Sequence, residues 1–242
     1  MVSLFTIVYT LFSRLLFIVF LMVIAIPLII CLCLPQRFLV NNKFFSLIAQ
    51  SFYWFCIKCS FLPITYYGIH NIPQEPCIIA ANHQSSFDIP LIGYALQNRI
   101  HIWTAWAELA KSLLFRFFLA RIAILIDVGS PTRAMRSLVQ AISILKEKPW
   151  DLIIFPEGQR TTGEKLNPFF GGFALIAQKT GRPVIPIKIV GVHKVYPPFT
   201  FWIYYYPITV HIGKPMMISA AETPEAFVER VRNWFIQETK DT

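Results

Sequence analysis

The sequence predicts an α/β fold, a mostly parallel central sheet flanked by helices, with an N-terminal membrane-embedded helical segment. Two observations carry this. From Ile64 onward, short apolar runs bounded by Gly, Pro and Asn alternate with amphipathic stretches, the pattern of strand–helix units. Before Ile64 the texture differs, with two long apolar segments and few charges. The 242-residue chain is 55% hydrophobic and holds 22 Phe, with a mean hydropathy of +0.55. That is more apolar than a soluble domain needs, so part of the chain is expected to meet lipid. The division follows as an anchor over 1–63 and a domain over 64–242, the latter large enough to bury one core.

Charge narrows the partners. Net charge is +9, from 22 Lys+Arg against 13 Asp+Glu, which favours an anionic membrane surface or phosphate-bearing ligands. There is no dense Lys/Arg run and no nucleic-acid-binding signature, so nucleic acid is set aside. Cys56 and Cys59 have the spacing of a redox or zinc pair, but no second pair exists. With Cys31, Cys33 and Cys77, they read as small residues in apolar segments. No disulfide is expected, and the domain is assigned to a reducing compartment. His70, His83, His101, His193 and His211 are scattered without ligand spacing, so no metal is expected.

Taking the elements in order, Leu15 to Leu34 is an apolar run broken only by Pro27, flanked by Arg14 and Arg37. Its length suits a bilayer-crossing helix, and no small-residue cleavage site follows it. A second apolar segment, about Phe44 to Leu62, carries Gln50, Lys58 and the aromatics Phe52, Tyr53, Trp54 and Phe55. A helix or hairpin lying in one leaflet fits it better than a second crossing. Arg37 and Lys43 between the segments place that linker, and with it the domain, on the cytoplasmic side. Candidate strands are Ile64–Ile69, Cys77–Ala81, Ile100–Trp103, Ile122–Asp127, Leu152–Phe155, Val184–Val190 and Ile208–Ile212. Candidate helices are Pro90–Leu96, Ala107–Leu119, Thr132–Lys146, Gly172–Thr180 and Thr223–Gln237.

Two loops carry chemistry. Asn82-His83-Gln84-Ser85-Ser86-Phe87-Asp88 joins a buried strand to a helix. On a continuous helix, His83 and Asp88 would stand about 140° apart. A turn between them folds the carboxylate back onto the imidazole, fixing the tautomer and leaving the other nitrogen as a base. Asp88 alone would equally serve as a helix N-cap. The second loop, Pro156-Glu157-Gly158-Gln159-Arg160-Thr161, follows the strand ending at Phe155, where α/β folds place ligands. Gly158 permits a turn with positive φ. Arg160 presents a fork suited to phosphate oxygens. Glu157 is a partner for a substrate hydroxyl or a brace for Arg160.

Together these loops resemble the glycerolipid acyltransferase family, closest to its 1-acyl-glycerol-3-phosphate (lysophosphatidic acid) acyltransferases. Asn82-His83 with Asp88 matches the NHxxxxD block. Phe155–Thr161 matches FPEGxRS, with Thr161 for Ser. Phe169-Phe170-Gly171-Gly172 and Gly181–Ile187 match the family's next helix and strand, so the resemblance covers about Ile64 to Gly213. It implies catalysis by His83 and Asp88, substrate binding by Glu157, Gly158, Arg160 and Thr161, and no cofactor. It also implies acyl-CoA or acyl carrier protein as co-substrate and a lysophospholipid acceptor at the bilayer. Members usually carry a Lys near the start of Ala105–Leu109 and an Arg after the Asp at position 127. Here Trp106 or Ala107, and Val128, stand there, and Lys111, Arg116, Arg121, Arg133 and Arg136 are the cations available to replace them.

Three rival expectations remain. One is acyl transfer to another lysolipid, lyso-ornithine lipid or a lysophospholipid. The second is hydrolysis with Ser85 or Ser86 as nucleophile, against which stands the lack of a Gly-x-Ser-x-Gly elbow. The third is a non-catalytic membrane-anchored binding protein.

Overall fold

The computed structural model describes residues 2–33, 43–112, 116, 119, 122–161, 163, 166–197 and 200–238. Its centre is a seven-stranded sheet: β1 (Ile64–Tyr67), β2 (Ile78–Ala81), β3 (His101–Trp106), β4 (Ala123–Ile126), β5 (Asp151–Ile154), β6 (Val184–Val190) and β7 (Ile208–Ile212). The order is β1-β7-β6-β2-β5-β3-β4. Neighbours run parallel except β6 and β7, which are antiparallel. The predicted α/β class is the class observed.

Burial on both faces explains why the central strands read as unbroken apolar runs rather than alternating ones. Ile78, Ile79, Ala80 and Ala81 are all fully buried. Side chains alternate faces along a strand. Thus Ile79 and Ala81 pack with Leu91, Ile92 and Trp103 on one side, while Ile78 and Ala80 pack with Phe173, Phe227 and Phe235 on the other. The first side is covered by α3 (Asp88–Leu96) and the second by α4 (Pro131–Glu147), α5 (Gly172–Thr180) and α7 (Pro224–Glu238). A short helix, α6 (Val192–Val195), leads from β6 towards β7. Ser130 and Pro131 start α4 as their chemistry dictates: the Ser130 hydroxyl accepts from the Arg133 amide, and proline occupies the first turn.

One expected element is corrected. The helix expected over Ala107–Leu119 is replaced at its start by a 3₁₀ turn over Ala107–Lys111, the strand before it runs past the expected Trp103, and positions 113–115, 117 and 118 lie outside the described residues. Strand β3 runs on to Trp106 because β4 offers it a full parallel ladder, Trp103 to Trp106 against Ala123 to Ile126.

The apolar N-terminal helix α1 (Leu4–Leu32) starts well before the Leu15 expected from hydropathy. Arg14 does not end it, because its guanidinium donates to the Phe201 carbonyl at 2.6 Å and lies over that ring at 4.2 Å. The helix is amphipathic in the inverted sense. Thr6, Tyr9, Thr10 and Ser13 are buried against the chain, while Leu4, Phe5, Val8, Leu11, Phe12 and Leu15 face outward. Among the described residues it is the one helix long and apolar enough to cross a membrane. At 1.5 Å per residue its 29 residues reach about 43 Å. Helix α2 (Lys43–Cys59) runs back antiparallel beside it, with Phe55 stacked on Phe20 at 3.9 Å. Tyr9 near the start of α1 donates to the Ser60 carbonyl just after α2. Arg37 lies outside the described residues, and Lys43 opens α2 at the end remote from the domain.

Helix α2 then docks on α3. The Tyr53 ring lies over Gly93, so that a Cβ there would come within 2.4 Å of a ring carbon. The Tyr53 hydroxyl meets His101 Nε2 at 3.0 Å. The carbonyl of Arg99, 2.9 Å from His101 Nδ1, takes the ring's one proton and leaves Nε2 to accept. Burial lowers the His101 pKa, consistent with this neutral form. Gly93→Ala should therefore cost about 1–3 kcal/mol through overpacking. Thermal unfolding of the detergent-solubilised protein measures it, and an unshifted midpoint would mean that the α2–α3 contact is loose.

Candidate active site

The site lies at the C-terminal edge of β2 and β5, which are direct neighbours with Ala80 opposite Ile154. That register sets the loop after β2 beside the loop after β5. Asn82 extends the sheet by one side chain: its amide donates to the Ile189 carbonyl at 2.9 Å and its oxygen accepts from the Ile189 amide at 2.7 Å. The chain must then turn, and His83 is the first residue of the turn.

His83 Nδ1 is 2.8 Å from Asp88 Oδ2. Asp88 is fully buried at the first position of α3. Its Oδ2 also accepts from the amides of Gln84 at 2.6 Å and Ser85 at 2.8 Å. The N-cap position belongs to Phe87, and no side chain caps the helix there. The carboxylate thus points back into the turn, at the imidazole. A carboxylate accepting amide bonds is an acceptor, so Nδ1 carries the proton and Nε2 holds a lone pair. The imidazole also stacks on Phe155, with centroids 4.0 Å apart and planes 14° from parallel.

The second loop clamps the first. Glu157 is 1% exposed. Its Oε1 accepts from the His83 amide at 3.2 Å and its Oε2 from the Asn167 amide at 2.8 Å. Burial raises its pKa and outweighs the two amide bonds that lower it. Thr161 donates to the His83 carbonyl from its amide at 2.8 Å and from its hydroxyl at 3.2 Å. Gly158 makes the turn between them at φ +68°, where a Cβ would meet the Phe170 ring at 2.8 Å. Glu157 is therefore no brace for Arg160, and both of its oxygens are occupied by backbone amides.

Arg160 is the exposed member. Its Nη2 donates to the Ser86 hydroxyl at 2.9 Å, and its Nε lies 3.4 Å from His83 Nε2. All six predicted site residues are brought together. The sequence assigned no role to Asn82, Asn167 or Phe155. The signals available were the placement of Asn82 and Phe155 at the ends of apolar runs and their places inside the two matched blocks. At the cation positions, Trp106 lies with Phe170 against Gly158, and Val128 is exposed. Lys111 is paired with Glu108 and Arg133 with Asp127. Arg116 and Arg136 are exposed, and Arg121 lies outside the described residues. No group of metal-ligating side chains is found among the described residues.

A buried carboxylate orienting a histidine, with a guanidinium at its free nitrogen, is a site built for proton transfer beside an anion. A sequence model of the acyltransferase family matches residues 63–190, more than half of the chain and every residue of this site, and the chain belongs to that family. Among curated relatives, the 1-acyl-sn-glycerol-3-phosphate acyltransferase of Limnanthes douglasii is 28% identical over 209 residues, covering 82% of this chain and 70% of that one. The enzyme of the same name from Pseudomonas aeruginosa is 32% identical over 171 residues, covering 67% and 62%. A lyso-ornithine lipid O-acyltransferase of Pseudomonas aeruginosa is 30% identical over 146 residues, covering 57% and 52%. The crystal structure of the 1-acyl-sn-glycerophosphate acyltransferase PlsC from Thermotoga maritima shares the fold, with a TM-score of 0.77 at 24% identity over 98% of this chain and 95% of that one.

The clamp generates a test. In Glu157→Gln an NH₂ group must face one of the two amide donors, so one buried N–H loses its acceptor. The expected loss is about 1–3 kcal/mol, read by chemical or thermal unfolding. Wild-type stability in this variant would show that the two loops are not held by Glu157.

Proposed function

We propose that the protein moves a fatty acyl group from a carrier thioester to the free hydroxyl of 1-acyl-glycerol-3-phosphate, giving phosphatidic acid at a membrane. The observation that carries this is the 2.8 Å bond from His83 Nδ1 to the buried Asp88, which leaves Nε2 as the base. In the reaction, His83 Nε2 takes the proton of the acceptor hydroxyl as its oxygen bonds to the thioester carbonyl carbon. The C–S bond breaks, and His83 returns the proton to the departing thiolate. Asp88 stabilises the imidazolium between these steps. No acyl-enzyme is needed, and His83 Nε2 faces Arg160 rather than a serine hydroxyl. Arg160 binds the acceptor phosphate as a charged fork. Glu157, Gly158 and Thr161 fix the shape of the binding loop.

Helices α1 and α2 serve as the membrane anchor, with the outward apolar face of α1 in lipid. Their antiparallel course keeps the chain start and the domain at one end and Lys43 at the other, so the charge of Lys43 does not carry the domain with it; we place the domain's end on the cytoplasmic side because acyl-CoA or acyl carrier protein supplies the thioester there. The aromatic Trp106 and apolar Val128, standing where cations were expected, favour one alternative acceptor, lyso-ornithine lipid.

Thiol release from a long-chain acyl-CoA or acyl carrier protein, measured with lysophosphatidate, lyso-ornithine lipid or no acceptor, tests the reading. His83→Ala and Asp88→Asn should each lower kcat by roughly 10²–10⁴-fold in folded protein. Near-wild-type rates in both would remove the mechanism. Arg160→Ala should raise the KM for lysophosphatidate, and an unchanged KM would take phosphate binding away from Arg160.

A further inference from the structure

The nitrogen that must act as the base is covered by one of the protein's own side chains. His83 Nε2 lies 3.4 Å from Arg160 Nε, and the same guanidinium is tied by Nη2 to the Ser86 hydroxyl at 2.9 Å. The imidazole cannot turn away from this contact. Asp88 holds its other nitrogen, and Phe155 stacks on its face. The backbone of His83 is pinned by Glu157 and Thr161. The Arg160 side chain is exposed and carries enough rotatable bonds to leave Nε2.

We propose that Ser86 and Arg160 form a latch over the catalytic base, opened by an anionic acceptor. Ser86 is a positioning residue: it holds the guanidinium where an N–H points at the lone pair of Nε2. This has two effects. A donor bonded to the lone pair must be displaced before a hydroxyl can hand over its proton. A fixed positive charge at that distance also opposes the imidazolium formed in the transfer. With the latch shut, a bound thioester is protected from water, whose proton would otherwise go to Nε2 as its oxygen attacked the carbonyl carbon to give free fatty acid and thiol. A phosphate monoester offers Arg160 charged oxygens in place of one hydroxyl and one imidazole nitrogen. A bidentate pair in which both partners are charged outweighs the guanidinium's single bonds to a neutral hydroxyl and a neutral imidazole, so the guanidinium moves to the acceptor and frees the base as the hydroxyl arrives. The opening step rests on the acceptor reading above, whereas the latch itself does not.

The test measures carbethoxylation of His83 by diethyl pyrocarbonate in full-length, detergent-solubilised protein without lipid acceptor, followed by peptide mass spectrometry. Ser86→Ala and Arg160→Gln should each raise the His83 rate roughly three- to tenfold, the range for losing a solvent-exposed charged hydrogen bond. His193 and His211 should react at wild-type rates, separating this from loosened folding. Acceptor-free hydrolysis of acyl-CoA should rise with His83 reactivity in Ser86→Ala. Ser86→Thr, which keeps the hydroxyl, should restore the low rate. Unchanged His83 reactivity in both Ser86→Ala and Arg160→Gln overturns the latch. A rise in both, with an unchanged lysophosphatidate KM in Arg160→Gln, upholds the latch while removing phosphate as the group that opens it.

Discussion

One buried oxygen organises the candidate site of this protein. Asp88 Oδ2 accepts from the imidazole of His83 and from the amides of Gln84 and Ser85. A fully buried carboxylate is costly without partners, so the turn from His83 to Asp88 is held in the shape that supplies them. That shape is what aims the imidazole. Asp88 sits on α3, and α3 is seated by α2 through the Tyr53 ring on Gly93. Tyr53 in turn reaches His101 on β3. Helix α2 is thus mechanically continuous with the His83–Asp88 pair. A change in how α2 packs reaches the site through a single short helix.

The second support comes from strand register. With β2 and β5 parallel and adjacent, their two loops leave the sheet side by side. Glu157 and Thr161 can then hold the amide and the carbonyl of His83 from the neighbouring loop. Side-chain aim and backbone position are fixed by different strands. Such double fixing confines the imidazole nitrogen and leaves Arg160 as its exposed partner. The Gly158 turn is what lets a buried acid and an exposed base alternate over so few residues.

Much of this was legible in the sequence, for reasons that also explain what was not. The strands were visible because both faces of the central sheet are buried, which leaves unbroken apolar runs such as Ile78 to Ala81. Two loops of unusual chemistry at the ends of such runs were visible as a site. The choice between Asp88 as cap and Asp88 as orienting acid was not, because both place an acid at a helix start. Only the direction of the carboxylate separates them. The burial of Glu157 was hidden because its partners are the backbone amides of His83 and Asn167, which leave no trace in side-chain pattern. Hydropathy missed the first turns of α1 since Thr6, Thr10 and Ser13 lower it there, although these polar residues are the ones that face the chain.

That inversion bears on how α1 is joined to the rest of the chain. In a soluble helix the apolar stripe faces the core. Here Thr10 exchanges hydrogen bonds with the backbone of Ile203, and Arg14 donates to that of Phe201. Polar contacts hold strength where water is excluded, so the outward apolar face and the inward polar one support each other. Lipid around α1 would dry the very bonds that tie it to the loop before β7. On the proposed anchoring, the membrane would tighten the join between α1 and the rest of the chain rather than compete with it, and through α2 and α3 it would steady the orientation of His83.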